Sequence, residues 1–253
     1  MTHRFTRRHV SAGIGVALIS PALVRTSAFA QRGGEPIKIG LSMAQTGPLA
    51  GAGQQALLGA QIWEEEVNAK GGLLGRPVKL IYYDDQSNPA NVPGIYTKLT
   101  DVDKVDLVIG PYGTNLVAPA LPTIIPKGKV FIGLFALDAN HVFQYPKYFS
   151  MLPSGPNPKQ SFTEGFFDVA AAQNPKPQSV AIAAEDAEFS RDAADGAREN
   201  VQKHGLKTVY DKNSPPNTTD FSPIIRAIQA TNPELVVIPT NCPSSPTGRR
   251  SRC

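Results

Sequence analysis

The chain has 253 residues, enough for one large domain or two small ones, and 41% of them are hydrophobic, which is sufficient for a buried core. Its formal charge of +4 comes from its two ends. Residues 1–30 and 241–253 carry seven arginines and no acid, which leaves 18 basic against 21 acidic residues in between. Residues 31–240 are therefore slightly acidic, and they do not have the clustered Lys and Arg that a nucleic-acid-binding surface needs.

The first thirty residues are typical of a secretory signal peptide. A basic start that contains Arg7 and Arg8 precedes a modestly apolar, glycine-containing segment and the ending Ala28-Phe29-Ala30. The arginine pair resembles a twin-arginine export signal, and we expect cleavage after Ala30. A membrane anchor is disfavoured because the segment is short and contains glycine.

From residue 36 onward, apolar runs alternate with helical stretches. Strands are predicted at 36–43, 76–85, 105–110, 129–135, 179–186, 207–211 and 234–239, with an extended segment at 147–153. Helices are predicted at 53–72, 87–101, 114–127, 158–173, 189–204 and 221–232. Runs of Val, Ile and Leu in this order indicate parallel sheets covered on both faces. We therefore predict an α/β chain of two doubly wound units, 31–150 and 151–240.

Local signals refine this pattern at three places. Asn88 should cap a helix that has Pro89 in its first position, and Gly205 should end the helix at 189–204. Residues 211–220 read as a polar loop.

Cysteine and histidine are scarce in the body of the chain. Cys242 and Cys253 both lie near the end, so the core must supply the stability of the body. Outside the first thirty residues, only His141 and His204 are present. No nucleophile motif or metal spacing accompanies them, and we expect no catalytic residue, no metal and no cofactor.

Ligands of open α/β sheets bind beyond the carboxyl ends of the strands. The loops of interest therefore follow Met43, Ile109, Phe135 and Ala184. The first of them, residues 44–55, is rich in glycine but lacks the Gly-Lys-Ser/Thr ending of a phosphate-binding loop.

The loop GPYGTN, residues 110–115, allows two interpretations. Thr114 stands where the next helix begins, so it is either a plain helix cap or part of a grip on a small molecule. Helix N-termini favour anions, and a carboxylate would suit this place.

Two acidic groups have similar alternatives. Asp84 and Asp85 are either a carboxylate pair or the usual solvent-facing or turn-capping acids at a strand end. The acids Glu185, Asp186 and Glu188 are most simply a solvated loop.

The segment GPLAGAGQQALLGAQIWEEEVNAKGGLLGRPVKLIYYDDQSNP, residues 47–89, resembles the leucine/isoleucine/valine-type solute-binding proteins of ABC transporters. Its Gly-Pro-x-Ala turn, Asn-Ala-x-Gly-Gly helix end and Asp-Asp-x-x-x-Pro loop occur in that family in the same order. The likeness continues through 105–115 and 179–200 to 220–238.

The resemblance implies a type I periplasmic binding protein with two lobes that close on a ligand by hinge motion. By similarity, Gly113 and Thr114 would hold a ligand carboxylate, the loop 135–138 would line its amine side, and Phe189 would cover it. Position 52, where this chain has Ala52, often carries an aromatic lid. The full set of expected ligand-binding residues is Ala52, Tyr112, Gly113, Thr114, Phe135, Ala136, Leu137, Asp138 and Phe189.

Two departures from the family pattern bear on the ligand. Amino-acid binders usually have a small residue and then a hydroxyl after the fourth strand, where this chain has Phe135 and Leu137. Ala52 lacks the bulk of a lid. The expected ligand is therefore an amino acid or a larger, less polar solute such as an aromatic carboxylate.

The resemblance implies a periplasmic, monomeric, non-catalytic receptor that delivers its ligand to an ABC permease. A ligand-sensing domain for a signalling partner and an exported α/β enzyme are the alternatives.

The last residues, 241–253, carry three arginines, both cysteines and no acid, and they lack any apolar periodicity. We expect this segment to be unrelated to the family and out of frame, with the C-terminal part of both lobes missing. A natural flexible tail is the alternative.

Overall fold

The structure is a computed structural model, and it describes residues 34–152, 154–216 and 218–240. The expected signal peptide 1–30 and the segment 241–253, with both cysteines, lie outside the described residues.

Strands and helices alternate along the described chain. The strands are β1 Ile37–Met43, β2 Val78–Asp84, β3 Leu107–Tyr112, β4 Phe131–Leu134, β5 Tyr148–Ser150, β6 Ser179–Glu185, β7 Lys207–Ser214 and β8 Leu235–Val237. The α-helices are α1 Ala50–Ala69, α2 Val92–Thr97, α3 Thr114–Ile124, α4 Pro158–Ala171, α5 Glu188–His204 and α6 Ser222–Thr231. Two 3₁₀ turns, Pro89–Asn91 and Ile125–Lys127, and a π-helical segment, Lys98–Val102, complete the described elements.

The strands form two sheets. The first has the order β2-β1-β3-β4-β5 and the second the order β7-β6-β8. Every pairing between neighbouring strands is parallel. We call the first unit lobe 1 and the second lobe 2.

Helices cover both faces of the sheet in lobe 1. On one face, Leu57 of α1 packs against alternate residues of β1 such as Leu41. On the other face, Tyr96 of α2 and Leu121 of α3 form a cluster with Val108 of β3. Because successive side chains of a strand point to opposite faces of the sheet, a single strand can contribute to the packing on both faces.

Lobe 2 repeats this arrangement on a smaller scale. Phe167 of α4 and Val201 of α5 pack with Ile182 on one face of the sheet. Ile228 of α6 packs with Ala183 on the other face. The prediction of doubly wound parallel sheets is confirmed.

Two predicted strand ends were too early, both because strand pairing continues further than propensity indicates. Pro111 and Tyr112 also belong to β3, since Tyr112 pairs with Leu134 across a register shift. The start of the expected polar loop, residues 211–214, extends β7 and pairs with β6 as far as Ser214.

Local signals at the helix ends were read correctly. The Asn88 side chain accepts a hydrogen bond from the Ala90 N–H, with Pro89 in the first turn. Gly205 ends α5 in the left-handed conformation with a φ of 68°. Within the described ranges, no helix is long and apolar enough to span a membrane.

Candidate functional site

The turn between β3 and α3 is built around Gly113. Its φ of 88° lies in the left-handed region, where glycine is favoured. The Gly113 N–H donates to the Leu134 carbonyl at 3.0 Å, and the Gly113 carbonyl accepts from the N–H groups of Leu116 and Val117. Gly113 thereby joins β4 to the first turn of α3.

Thr114 is the first residue of α3, and it is completely buried, with 0% exposure. Its Oγ1 accepts a hydrogen bond from the Leu137 N–H at 2.8 Å. The hydroxyl therefore fixes the loop after β4 against the start of α3. In this conformation the Thr114 side chain is not accessible to a ligand.

The loop after β4 contains four of the expected ligand-binding residues, and two of them are buried. Ala136 and Leu137 are buried in the core, so the bulk of Leu137 does not face a ligand. Phe135 is 39% exposed, and its ring centroid lies 5.2 Å from that of Tyr112. Phe135 and Asp138 adopt φ values of 50° and 51°, a conformation that costs non-glycine residues roughly 1 kcal/mol each. Strain of this kind concentrates at functional sites.

The loop after β1 is held by Asp84. Its carboxylate accepts from the N–H groups of Gln45, Thr46 and Gln86 at 2.9, 3.2 and 2.8 Å, and from the Thr46 hydroxyl at 2.7 Å. Burial opposes ionisation of Asp84, but these hydrogen bonds outweigh it and lower the pKa of the carboxyl. Asp84 is therefore a brace for the loop that leads into α1.

Asp85 has a different environment from its neighbour. It is buried, and it accepts hydrogen bonds from the Ser42 hydroxyl at 2.7 Å and the Ser87 N–H at 3.0 Å. Burial raises its pKa against the effect of these two bonds. The two acids bind different partners, so the turn-capping interpretation fits them better than a carboxylate pair.

Phe189 and Ala52, the remaining expected ligand-binding residues, lie on two helices. Phe189 is the second residue of α5, half-buried, with its ring edge-on to Phe162 at 5.5 Å. Its backbone N–H donates to the Asn115 Oδ1 of lobe 1 at 2.9 Å. Ala52 lies half-buried in the first turn of α1, directly after the braced loop.

A cleft of about 330 Å³ lies between the lobes, along α3 and the loop after β4. Of the expected ligand-binding residues it contains only Asp138. Its walls are Ala118, Pro119 and Pro122 of α3, the loop residues Asp138, Ala139, His141, Val142 and Phe143, and Lys159, Glu188 and Asp192 of lobe 2.

The charges of this cleft are centred on Lys159. Its Nζ lies 2.8 Å from the Asp192 Oδ1 and 3.9 Å from the Asp138 Oδ2 across the lobe boundary. Burial raises the pKa of Asp138, and the charges of His141 and Lys159 offset this only in part. Burial also raises the pKa of Glu188, which is half-buried at the start of α5 and not part of a solvated loop.

Sequence reasoning missed Asn115, Lys159 and Asp192. Asn115 stands next to Thr114 in the quoted loop, but nothing local indicates a bond to a residue 74 positions away. Lys159 and Asp192 follow the ordinary pattern of helix surfaces. Among the described residues, no group of three or more His, Cys, Asp or Glu side chains is arranged to hold a metal ion.

Residues 36–245 match a family model described as periplasmic binding protein. This range takes in most of the chain, so the chain belongs to that family, and its two parallel α/β units have the type I periplasmic binding fold.

Individual relatives agree with this assignment. The Leu/Ile/Val-binding protein BraC3 of Rhizobium johnstonii is 27% identical over 221 residues, which cover 86% of this chain and 58% of that protein. The substrate-binding protein LivJ of a branched-chain amino acid transporter from Streptococcus pneumoniae, solved with isoleucine, is 22% identical with a TM-score of 0.69. That match covers 80% of this chain and 56% of LivJ.

A solute-binding protein of an ABC transporter from R. palustris, solved with 4-hydroxybenzoate, is 23% identical with a TM-score of 0.65. It is matched over 80% of this chain and 53% of its own length. The chain thus spans little more than half the length of the relatives it matches.

Proposed function

We propose that this chain is an extracytoplasmic solute receptor that binds a small carboxylate-bearing molecule and delivers it, unchanged, to the permease of an ABC importer. Family membership supports this role, and the sequence of residues 1–30 supports export to the periplasm. Cleavage after Ala30 and a monomeric state belong to the same proposal.

The observation that carries the proposal is the aromatic surface at the strand ends of lobe 1. Tyr112 ends β3, and Phe135 follows β4 in a strained conformation that turns its ring toward Tyr112. Phe189, in the first turn of α5 of lobe 2, lies next to the start of α3, where its N–H is bonded to Asn115. Aromatic and other apolar side chains with a few oriented polar groups are the usual lining of a small-molecule site.

In this proposal, the carboxylate of the ligand binds near the start of α3. The N-terminus of an 11-residue helix carries a partial positive charge and N–H groups without intrahelical partners. Gly113 shapes this turn, and Thr114 holds the loop 135–138 beside it.

The class of ligand is inferred from Phe135 alone, because Leu137 is buried and does not face the ligand. A ring at the position of a small residue favours a flat, apolar partner over a branched aliphatic side chain. An aromatic carboxylate is therefore preferred to a branched-chain amino acid. The relatives solved with 4-hydroxybenzoate and with isoleucine represent the two chemistries.

A thermal-shift panel tests the proposal with benzoate, 4-hydroxybenzoate, leucine, isoleucine and valine. A compound at 100 times its Kd adds ~2.7 kcal/mol to the free energy of unfolding, which is readily seen as a rise in Tm. Compounds that raise Tm should be recovered unchanged after long incubation. Consumption of a compound would favour an enzyme, and no stabilisation by any carboxylate at millimolar concentration would contradict the receptor assignment.

A further inference from the structure

Only a few polar contacts of the described residues cross the boundary between the lobes. The Phe189 N–H of α5 donates to the Asn115 Oδ1 of α3 at 2.9 Å. Lys159 also approaches Asp138, but at 3.9 Å, and it makes a shorter ion pair with Asp192 inside lobe 2. The hydrogen bond is thus the closer of these two connections.

The start of α5 has no cap from its own lobe. The residue before the helix is Ala187, which is extended, with φ −125° and ψ 153°, and has no side-chain acceptor. The first N–H groups of a helix lack partners inside it, and a capping oxygen ordinarily accepts from the second or third of them. Phe189 is the second residue of α5, so the Asn115 amide oxygen occupies the place of a cap.

Asn115 is held firmly in lobe 1. It follows Thr114, whose hydroxyl is bonded to the Leu137 N–H, and Gly113, whose backbone is bonded to β4 and α3 on both sides. The acceptor oxygen therefore projects from a part of lobe 1 that is fixed in place. Separation of the lobes removes that oxygen from α5 and leaves the Phe189 N–H to water.

We propose that Asn115 is a positioning residue that caps α5 across the lobe boundary and so links closure of the lobes to the placement of Phe189. The ring of Phe189, which packs edge-on against Phe162, projects from the backbone that Asn115 holds. Any effect of this cap on ligand binding rests on the proposed receptor function. The cap itself is independent of that function, because the hydrogen bond is present without a ligand.

Hydrogen exchange on the full chain without ligand tests the cap. Asn115→Ala removes the acceptor, and we expect amide exchange at the start of α5 to become about fivefold faster, which is the usual effect of losing a cap. Asn115→Asp keeps an acceptor oxygen and should restore slow exchange. Unchanged exchange in Asn115→Ala, or equally fast exchange in both variants, would overturn the proposal.

Asn88→Ala is the matched control, since Asn88 caps a helical turn within lobe 1 through the same chemistry. It should speed exchange near Ala90 and leave the start of α5 unchanged. Faster exchange at α5 in this control would show that any lost cap has that effect, and the proposal would fail.

The coupling to closure is measured by the distance between spin labels on exposed positions of the two lobes, Lys79 and Gln202, with Cys242 and Cys253 replaced by serine. Asn115→Ala should lower the ratio of the short-distance to the long-distance population about fivefold, and Asn115→Asp and Asn88→Ala should not. An unchanged distribution in Asn115→Ala would refute the link to closure. Both measurements omit ligand, so their failure leaves the result of the ligand panel unaffected.

Discussion

The loop after β1 and the boundary between the lobes are both held by polar contacts, but to very different degrees. Asp84 alone accepts four hydrogen bonds, three of them from the loop 44–46 and none longer than 3.2 Å. Across the boundary, one hydrogen bond of 2.9 Å and one charge pair at 3.9 Å stand out. The loop after β1 is therefore held in place, and movement is left to the boundary.

This difference suits the proposed receptor function. A loop that is already held in place lowers the entropy lost when a ligand is bound. A weakly held boundary lets a modest binding energy shift the balance between open and closed forms. Five predictions test the comparison, from the largest expected effect to the smallest.

The brace should be the costliest feature to remove. Asp84→Ala takes the acceptor from four donors, and hydrogen bonds to a charged group are worth ~1.5–3 kcal/mol each without being additive, so we expect a loss of about 3 kcal/mol. Chemical denaturation measures it. Asp84→Asn keeps one acceptor oxygen and should lose less. A loss below that of Asp138→Asn would reverse the comparison.

Thr114 should come next. Thr114→Val keeps the shape of the side chain but leaves the buried Leu137 N–H without its acceptor, at a cost of about 2 kcal/mol. Thr114→Ser retains the hydroxyl and should recover most of the loss. Because the loop 135–138 loosens, Thr114→Val should also weaken binding of any ligand found in the panel. Equal stability of the Val and Ser variants would show that the hydroxyl has no such role.

Acid should weaken the braced loop. The pKa of Asp84 is lowered in the folded state, so its stabilisation is present above the ordinary carboxyl value of 3.8 and is lost as pH falls below it. Asp84→Asn should therefore show a smaller decrease in stability between pH 5 and pH 3. Asp85 has a raised pKa, so Asp85→Asn should not reduce that acid slope. A smaller slope in Asp85→Asn alone would contradict the assignment of the brace.

Phe135 should affect binding more than stability. Phe135→Ala removes the ring beside Tyr112, and an aromatic contact is worth ~0.5–1.5 kcal/mol, so affinity for an aromatic carboxylate should fall about fivefold. Phe149→Ala on β5 removes another exposed ring and serves as the control. Titration calorimetry with benzoate compares the two. An equal decrease in both variants would remove Phe135 from the site.

The boundary charge pair should matter least. Asp138→Asn removes a partner that lies 3.9 Å from Lys159, and loosely spaced pairs of this kind contribute less than ~1 kcal/mol. The raised pKa of Asp138 also indicates a small loss of stability, because burial already disfavours its charged form. Denaturation of the variant measures the change. A loss comparable to that of Asp84→Ala would mean that the boundary is braced as well.

The sequence predicted the order of the elements because that order depends on local chemistry. Strands are marked by runs such as Ile37–Met43, and Asn88 and Gly205 mark a helix start and a helix end through bonds to near neighbours. Where strand pairing decided the outcome, as at Tyr112 and Ser214, the predicted ends were too early.

The candidate site was predictable only in part, for the same reason. The resemblance led to the loops 112–114 and 135–138, but not to which of their side chains face inward. Thr114 and Leu137 are both buried, and the Thr114 hydroxyl accepts a hydrogen bond from the Leu137 N–H across 23 positions.

By itself, the sequence determined a parallel α/β chain with two units, its helix caps and the family to which it belongs. Those features follow from periodicity, from turn-forming residues and from motifs that are contiguous in the chain. Only the tertiary structure decided that Asp84 braces a loop, that Thr114 holds Leu137, and that Asn115 caps a helix of the other lobe. Each of these bonds joins residues at least 23 positions apart, and folding alone brings such partners together.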